Sequence, residues 1–244
     1  MTMTFWTAAT PNGWKISIML EELKEAGVAL PEVEVRTVNL LGGEQFSDEF
    51  TAVNPNQKIP ALQHGDMNLM ESGAILQYLG EAYPSPLLPL DDGKWDVLAW
   101  LFWQVANLGP VFGNKLSNTR YMTDVDDVLK SHPLELFNKE ALRLLSVLSN
   151  KLGDTPYICG DTFTIADIAS YPWVRGWKWS KIDITGFPNV MAWVDRIRAR
   201  PGVDRGLKYG IAEDEVDGWS KETKAQYAKL GASMASNQKL RTVQ

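Results

Sequence analysis

Apolar positions in the first third of this chain fall into short alternating runs separated by turn residues, with two helical stretches between them. Residues 4–8 have the size and residue types of a short strand, and TPNG at 10–13 reads as a turn. In WKISIMLEELKEA (14–26), Ile16, Met19, Leu20 and Leu23 recur at helical spacing, and Gly27 supplies the stop. EVEVRTVNL (32–40) alternates loosely through Val33, Val35 and Val38 and predicts a second strand. GGEQF (42–46) is a flexible loop, after which Ser47 can cap a short helix over 48–53. NPNQKIPALQHGDMNLMESGAILQYL (54–79) then gives a loop to residue 59, a strand over 60–64, a turn at Gly65-Asp66 and a strand over 68–70. An apolar helix follows Glu71-Ser72, so the order is βαβαββα.

From residue 84 the pattern changes. PSPLLPLDDGK (84–94) is a proline-rich linker, and beyond it the apolar period is helical. Residues 95–108 form an aromatic-rich helix with Trp100 and Trp103 at i,i+3, which Gly109-Pro110 should bend or break. Residues 133–152 form a long amphipathic helix through Leu134, Leu136, Phe137, Ala141, Leu144, Leu145 and Leu148, ended by Gly153. Thr164-Ile-Ala-Asp167 has capping-box spacing, with Asp where Glu is usual, and opens a helix through Trp173. Another helix spans 188–199 and stops near Pro201. After Glu213 the chain is polar, and KETKAQYAKL makes at best a weakly packed helix. The division expected is an α/β unit over 1–83, a linker over 84–94, an all-α unit over 95–212 and a polar extension over 213–244.

Composition narrows the function. The 244 residues allow two modest domains. No run of about 18 apolar residues is present, and the first residues lack the basic-then-apolar order of a secretory signal, so neither membrane nor export is expected. A formal charge of −6 without a basic cluster argues against nucleic acid. Cys159 is the one cysteine, which excludes an internal disulfide or a CxxC pair and suits a reducing cytoplasm. His64 and His132 lack ligand spacing, so no metal is expected.

Two features of residues 54–79 carry chemistry. Ile59-Pro60 joins extended backbone to a strand, a setting for a cis bond that would free the backbone of Ile59 for a ligand. Ser72 is a good N-cap whose helix favours an anion, while Glu71 can hold a cation. A ligand with an amino acid at one end and a peptide middle fits both. In this order the two features resemble the glutathione-binding half of glutathione transferases. More narrowly, TPNGWKISIMLEEL, GGEQFSDEF, NPNQKIPAL, ESGAILQYL, WLFWQV and DIASYPWV are similar to the bacterial Nu-class enzymes, to which the globular part of the yeast nitrogen-regulation prion protein is related. The resemblance covers residues 4 to about 210.

It implies a thioredoxin-like domain followed by an all-helical domain, and a symmetric dimer. It also implies that Gln45, Lys58, Ile59, Glu71 and Ser72 bind glutathione. Lys58 would meet the glycine carboxylate, Ile59 the cysteinyl backbone, and Glu71 and Ser72 the γ-glutamyl end. Thr10 and Asn12 would face the sulfur, where many relatives place Tyr, Ser or Cys. Arg143, Arg175 and Trp177 would serve a second site holding another glutathione, or the second half of its disulfide. The activity implied is glutathione-dependent reduction of small disulfides, with weak peroxidase or transferase activity; conjugation of electrophiles or non-catalytic glutathione binding are the alternatives.

Thiol activation alone cannot supply the rate. Lowering a thiol pKa from ~8.5 by about two units raises the thiolate fraction at neutral pH roughly 25-fold. A Brønsted coefficient of about 0.4–0.5 returns roughly tenfold of that in lost nucleophilicity. Aligning two sulfur centres is worth far more. Since no cysteine here is suited to resolve a disulfide, the reacting sulfurs should arrive with the ligand.

Overall fold

The structure, a computed structural model, describes residues 2–40, 42–122 and 125–210, with Ala225 and Lys229. Apart from those two exposed positions, the extension over 213–244 lies outside the described residues.

The first unit has the predicted order: β1 (Met3–Thr7), α1 (Pro11–Glu25), β2 (Val33–Thr37), a 3-10 turn at Glu44–Phe46, α2 (Asp48–Val53), β3 (Ala61–His64), β4 (Met67–Met70) and α3 (Ser72–Ala82). The sheet order is β2-β1-β3-β4, with β1 parallel to β2 and antiparallel to β3, and β3 antiparallel to β4. Two starts differ from expectation. TPNG is no free turn: α1 begins at Pro11, whose missing N–H costs nothing in a first turn, and Thr10 is the N-cap. Gly13 is required by space, because a Cβ there would stand 2.3 Å from the Ala8 carbonyl oxygen. Ser72 is likewise not the N-cap. Glu71 holds that position at φ 68°, and Ser72 is the first residue of α3.

The second unit is helical: α4 (Lys94–Trp103), a π-helical turn at Gln104–Leu108, α5 (Gly109–Arg120), α6 (Asp127–Leu152), α7 (Ile165–Arg175), α8 (Trp177–Ser180), α9 (Pro188–Arg198) and α10 (Pro201–Gly206). At Gly109-Pro110 and Pro133 the prolines misled. Gly109-Pro110 does not break the chain of helix, because the π turn re-registers the hydrogen bonds where Pro110 cannot donate. The long helix starts at Asp127 instead of 133, capped by Asp126, and includes Pro133 where its first turns are exposed to water. The helix expected to stop near Pro201 does so, α9 ending at Arg198, and Pro201 then opens α10.

The centre of the molecule is α1, buried at every position from Gly13 to Leu23. The sheet, α3, α7 and α10 pack around it, and one apolar core runs from Phe5 and Ile16 through Leu101 and Ile168 to Trp193. At Gly206 a Cβ would lie 2.6 Å from the Ile18 Cα, so that glycine lets α10 press directly on α1. The predicted capping box is present. The Asp167 carboxylate accepts hydrogen bonds from Thr164 N, Thr164 Oγ1, Ile158 N and Trp193 Nε1 at 2.8–3.2 Å.

Candidate functional site

Strand register decides what meets at the end of the sheet. Trp6 pairs with Ala61, and Ala61 with Met70. The chain leaving β1, the chain entering β3 and the chain leaving β4 therefore meet at one edge. These are the segments that carry Thr10, Ile59-Pro60 and Glu71-Ser72.

Each is held for a local reason. The Thr10 Oγ1 accepts the Gly13 N–H at 3.2 Å, so its own proton remains available to donate. Asn12, in the first turn of α1, receives a hydrogen bond from Trp173 Nε1 at 3.1 Å. An indole N–H only donates, so the Asn12 atom facing it is Oδ1, and the Nδ2 donors point away from Trp173. Trp173 lies in a slot on α5 where Gly109 and Gly113 carry no side chain; a Cβ at Gly113 would come within 3.3 Å of the indole.

Ile59-Pro60 is cis, immediately before the paired part of β3. The loop leading to it is shaped by buried Asn54, whose side chain donates to the Lys58 carbonyl at 2.5 Å and accepts from Asn56 N at 2.8 Å. Lys58 itself is exposed. Asn56 Nδ2 reaches the Glu71 carboxylate at 3.5 Å, linking the loop to the start of α3. Glu71 is exposed, with a positive φ of the kind that clusters at ligand clamps. Gln45 is buried in the 3-10 turn with no partner for its Oε1 among the described residues.

The three residues expected at a second ligand position separate. Arg175, at the end of α7, stacks its guanidinium 5.0 Å from the Trp14 ring and so stands beside the α1 start. Arg143 is exposed on α6 and paired with Glu140 at 2.6 Å. Trp177 packs on the core at the start of α8 under the Lys178 ammonium.

Sequence reasoning missed Trp173, Lys15 and Gln104. Lys15 is enclosed on α1, donating to Ser72 Oγ at 3.2 Å and to Gln104 Oε1 at 2.8 Å. Burial brings its pKa down to about 7, against the opposing pull of Glu71. One signal could have found it: Lys15 is four residues before Met19, on the apolar face of its helix. Cys159 is half-buried beside the Asp167 cap, where burial first and the Asp96 and Asp167 charges next push its thiol up to about 12. No group of three or more potential metal ligands occurs among the described residues.

The arrangement can accept a peptide edge, hold an ammonium at Glu71 and a carboxylate at the α3 N-terminus, and present two donors to a thiolate. The chain also resembles known proteins over most of its length. Residues 1–81 match the family model "Glutathione S-transferase, N-terminal domain", and residues 129–201 the corresponding C-terminal domain. The chain is 36% identical over 215 residues to the disulfide-bond oxidoreductase YfcG of Escherichia coli, covering 85% of this chain and 95% of that protein. Among solved structures it resembles a glutathione transferase family member from Pseudomonas fluorescens with two glutathione bound (TM-score 0.76, 36% identity, 84% of this chain and 92% of that one). It also resembles a glutathione transferase from Pseudomonas putida with one glutathione disulfide bound per subunit (TM-score 0.76, 32% identity, 85% and 91%). Over more than four fifths of its length the chain thus shares both sequence and architecture with these proteins, and it belongs to the glutathione S-transferase family.

Proposed function

We propose that this protein binds glutathione, reduced or oxidised, at the α1–α3 junction and uses it to reduce small disulfides. The observation that carries the reading is a pair of donors on Thr10 and Asn12 that no described residue engages, with the lone cysteine, Cys159, set half-buried beside the Asp167 cap. The sulfur chemistry then belongs to the ligands. A glutathione thiolate attacks one sulfur of the substrate disulfide, forming a mixed disulfide and releasing one thiolate. A second glutathione attacks the glutathionyl sulfur, giving glutathione disulfide and the second thiolate. In sum, two glutathiones and one disulfide become glutathione disulfide and two thiols. Two relatives are named disulfide-bond oxidoreductases, and structural neighbours hold two glutathiones or one glutathione disulfide per subunit, which supports this stoichiometry.

In this reading Lys58 meets the glycine carboxylate, Ile59 pairs with the cysteinyl backbone, and Glu71 and Ser72 take the γ-glutamyl end, with Gln45 as a further acceptor. Arg175 is the second-site residue best supported by position, through Trp14; Arg143 and Trp177 have only the resemblance behind them. The protein acts as a homodimer in the cytoplasm. Trp95, Ala99, Phe102 and Ala106 make an exposed apolar stripe along α4 and the π turn, a surface suited to a second copy.

Steady-state assays with glutathione and hydroxyethyl disulfide test the proposal. Saturable turnover is expected. Turnover of an aryl halide without any of the disulfide would overturn it in favour of conjugation.

A further inference from the structure

Beneath the start of α3, a lysine is buried where no carboxylate of the described residues pairs with it. Its Nζ donates to Ser72 Oγ at 3.2 Å and Gln104 Oε1 at 2.8 Å, and both acceptors are neutral and buried. An ammonium has three protons, so one is left over. Gln104 is also incompletely used, with its Nε2 enclosed and without a partner among the described residues. Buried charges in proteins are normally paired because an unpaired one is costly. The charge that acts on Lys15 is that of Glu71, which is exposed and precedes Ser72 in the chain. Other charges on the elements around α1 are engaged elsewhere. Arg200 and Arg205 of α10 bind Glu22 and Glu21, and Arg175 of α7 lies over Trp14.

The polarity of these contacts has a consequence at the ligand. A protonated lysine can only donate, so the Ser72 oxygen must accept, and the serine proton is turned outward as a donor. A carboxylate set at the α3 N-terminus would receive that proton and the helix N–H groups, with the ammonium one atom behind. A neutral Lys15 reverses this, because its nitrogen can accept from Ser72 and withdraw the donor.

We propose that Lys15 is a positioning residue which fixes the Ser72 hydroxyl as a donor and couples binding of the γ-glutamyl carboxylate to uptake of a proton. This rests on the glutathione reading and extends it. Before binding, burial leaves Lys15 titrating near neutrality, at about 7. The incoming carboxylate restores the missing countercharge and favours the protonated form, so affinity is greatest below that value and declines above it.

Calorimetry with S-methylglutathione, which has no thiol to titrate or react, tests the coupling in buffers of different ionisation enthalpy. At pH 7 the wild-type protein should take up roughly half a proton per ligand, and its Kd should weaken about tenfold between pH 6 and pH 8. Lys15→Met, which replaces the buried charge with an apolar chain of similar length, should take up none and show a flat profile. A second arm needs no variant: the same tripeptide lacking the γ-glutamyl carboxylate should bind wild type without proton uptake. S-methylglutathione binding with no uptake at pH 7, or equal uptake by the ligand without the carboxylate or by folded Lys15→Met, would overturn the proposal. Failure of the ligand to bind folded wild type at any pH would instead overturn the glutathione reading, and this inference with it.

Discussion

Asp167 and Lys15 bring opposite charges into the same apolar core, one at the α7 cap and one at the α1–α3 junction. Around Asp167 every group is spoken for: its carboxylate accepts four hydrogen bonds, two of them from backbone N–H groups. Around Lys15 and its neighbours, bonding capacity is left over. Among the described residues the ammonium has a spare proton, Gln104 Nε2 has no partner, and Thr10 and Asn12 keep donors that no described residue engages. The first arrangement is complete in the protein alone. The second, in the proposal made above, is completed by a ligand. A fully satisfied buried charge marks a structural corner, and a set of half-satisfied polar groups at the meeting of three chain segments marks a binding site.

Asp167→Ala should have the largest effect on stability. It strands buried donors on Ile158, Thr164 and Trp193, each worth about 1–3 kcal/mol, and should lower Tm by on the order of 10 °C. Glutathione affinity of the folded fraction should change little. A large loss of affinity with Tm intact would break the distinction between the two regions.

Asn12→Ala should do the reverse. Removing one aligned donor to the sulfur should lower kcat/KM for a model disulfide roughly 100-fold, while thermal unfolding barely moves. Trp173→Phe keeps the ring in its glycine slot and deletes the N–H that sets the Asn12 amide. A smaller loss is expected, roughly fivefold in kcat/KM, in line with about 1 kcal/mol for one hydrogen bond.

The finest test is the slope of stability with pH in the free protein, followed by denaturant titration. Lys15 has a folded pKa of about 7, well below the 10.5 of an ordinary lysine, so between these the unfolded chain binds more protons. Lys15 therefore makes stability rise with pH above 7, by at most about 1.4 kcal/mol per unit. Asp167 acts the other way. Burial lifts its folded pKa from 3.8 to about 6 against the pull of its hydrogen bonds, so its contribution falls as pH rises through that window. Lys15→Met should remove the upper slope and leave the lower one.

The same contrast explains what could be read from the sequence. Thr164 and Asp167 are three residues apart, so their capping box is legible in TIAD. Ser47 before α2 was legible for the same reason. The βαβαββα order followed from short-range periodicity, and Glu71-Ser72 and Ile59-Pro60 from local pattern joined to a family resemblance. Lys15 meets partners 57 and 89 positions away, and Trp173 meets Asn12 across 161. No local pattern encodes those contacts. Two prolines failed for a different reason: Pro11 and Pro110 stand in the first turn of a helix, where the ring is tolerated, and sequence alone does not separate that position from a turn or a helix end.

The central claim is that the reacting sulfurs come from glutathione and the substrate, with the protein as a clamp. Its most direct test is the turnover of hydroxyethyl disulfide by Cys159→Ala at saturating glutathione. The account predicts a rate unchanged from wild type. Loss of turnover in a folded variant that still binds glutathione would contradict it, because the one protein thiol would then take part in the exchange.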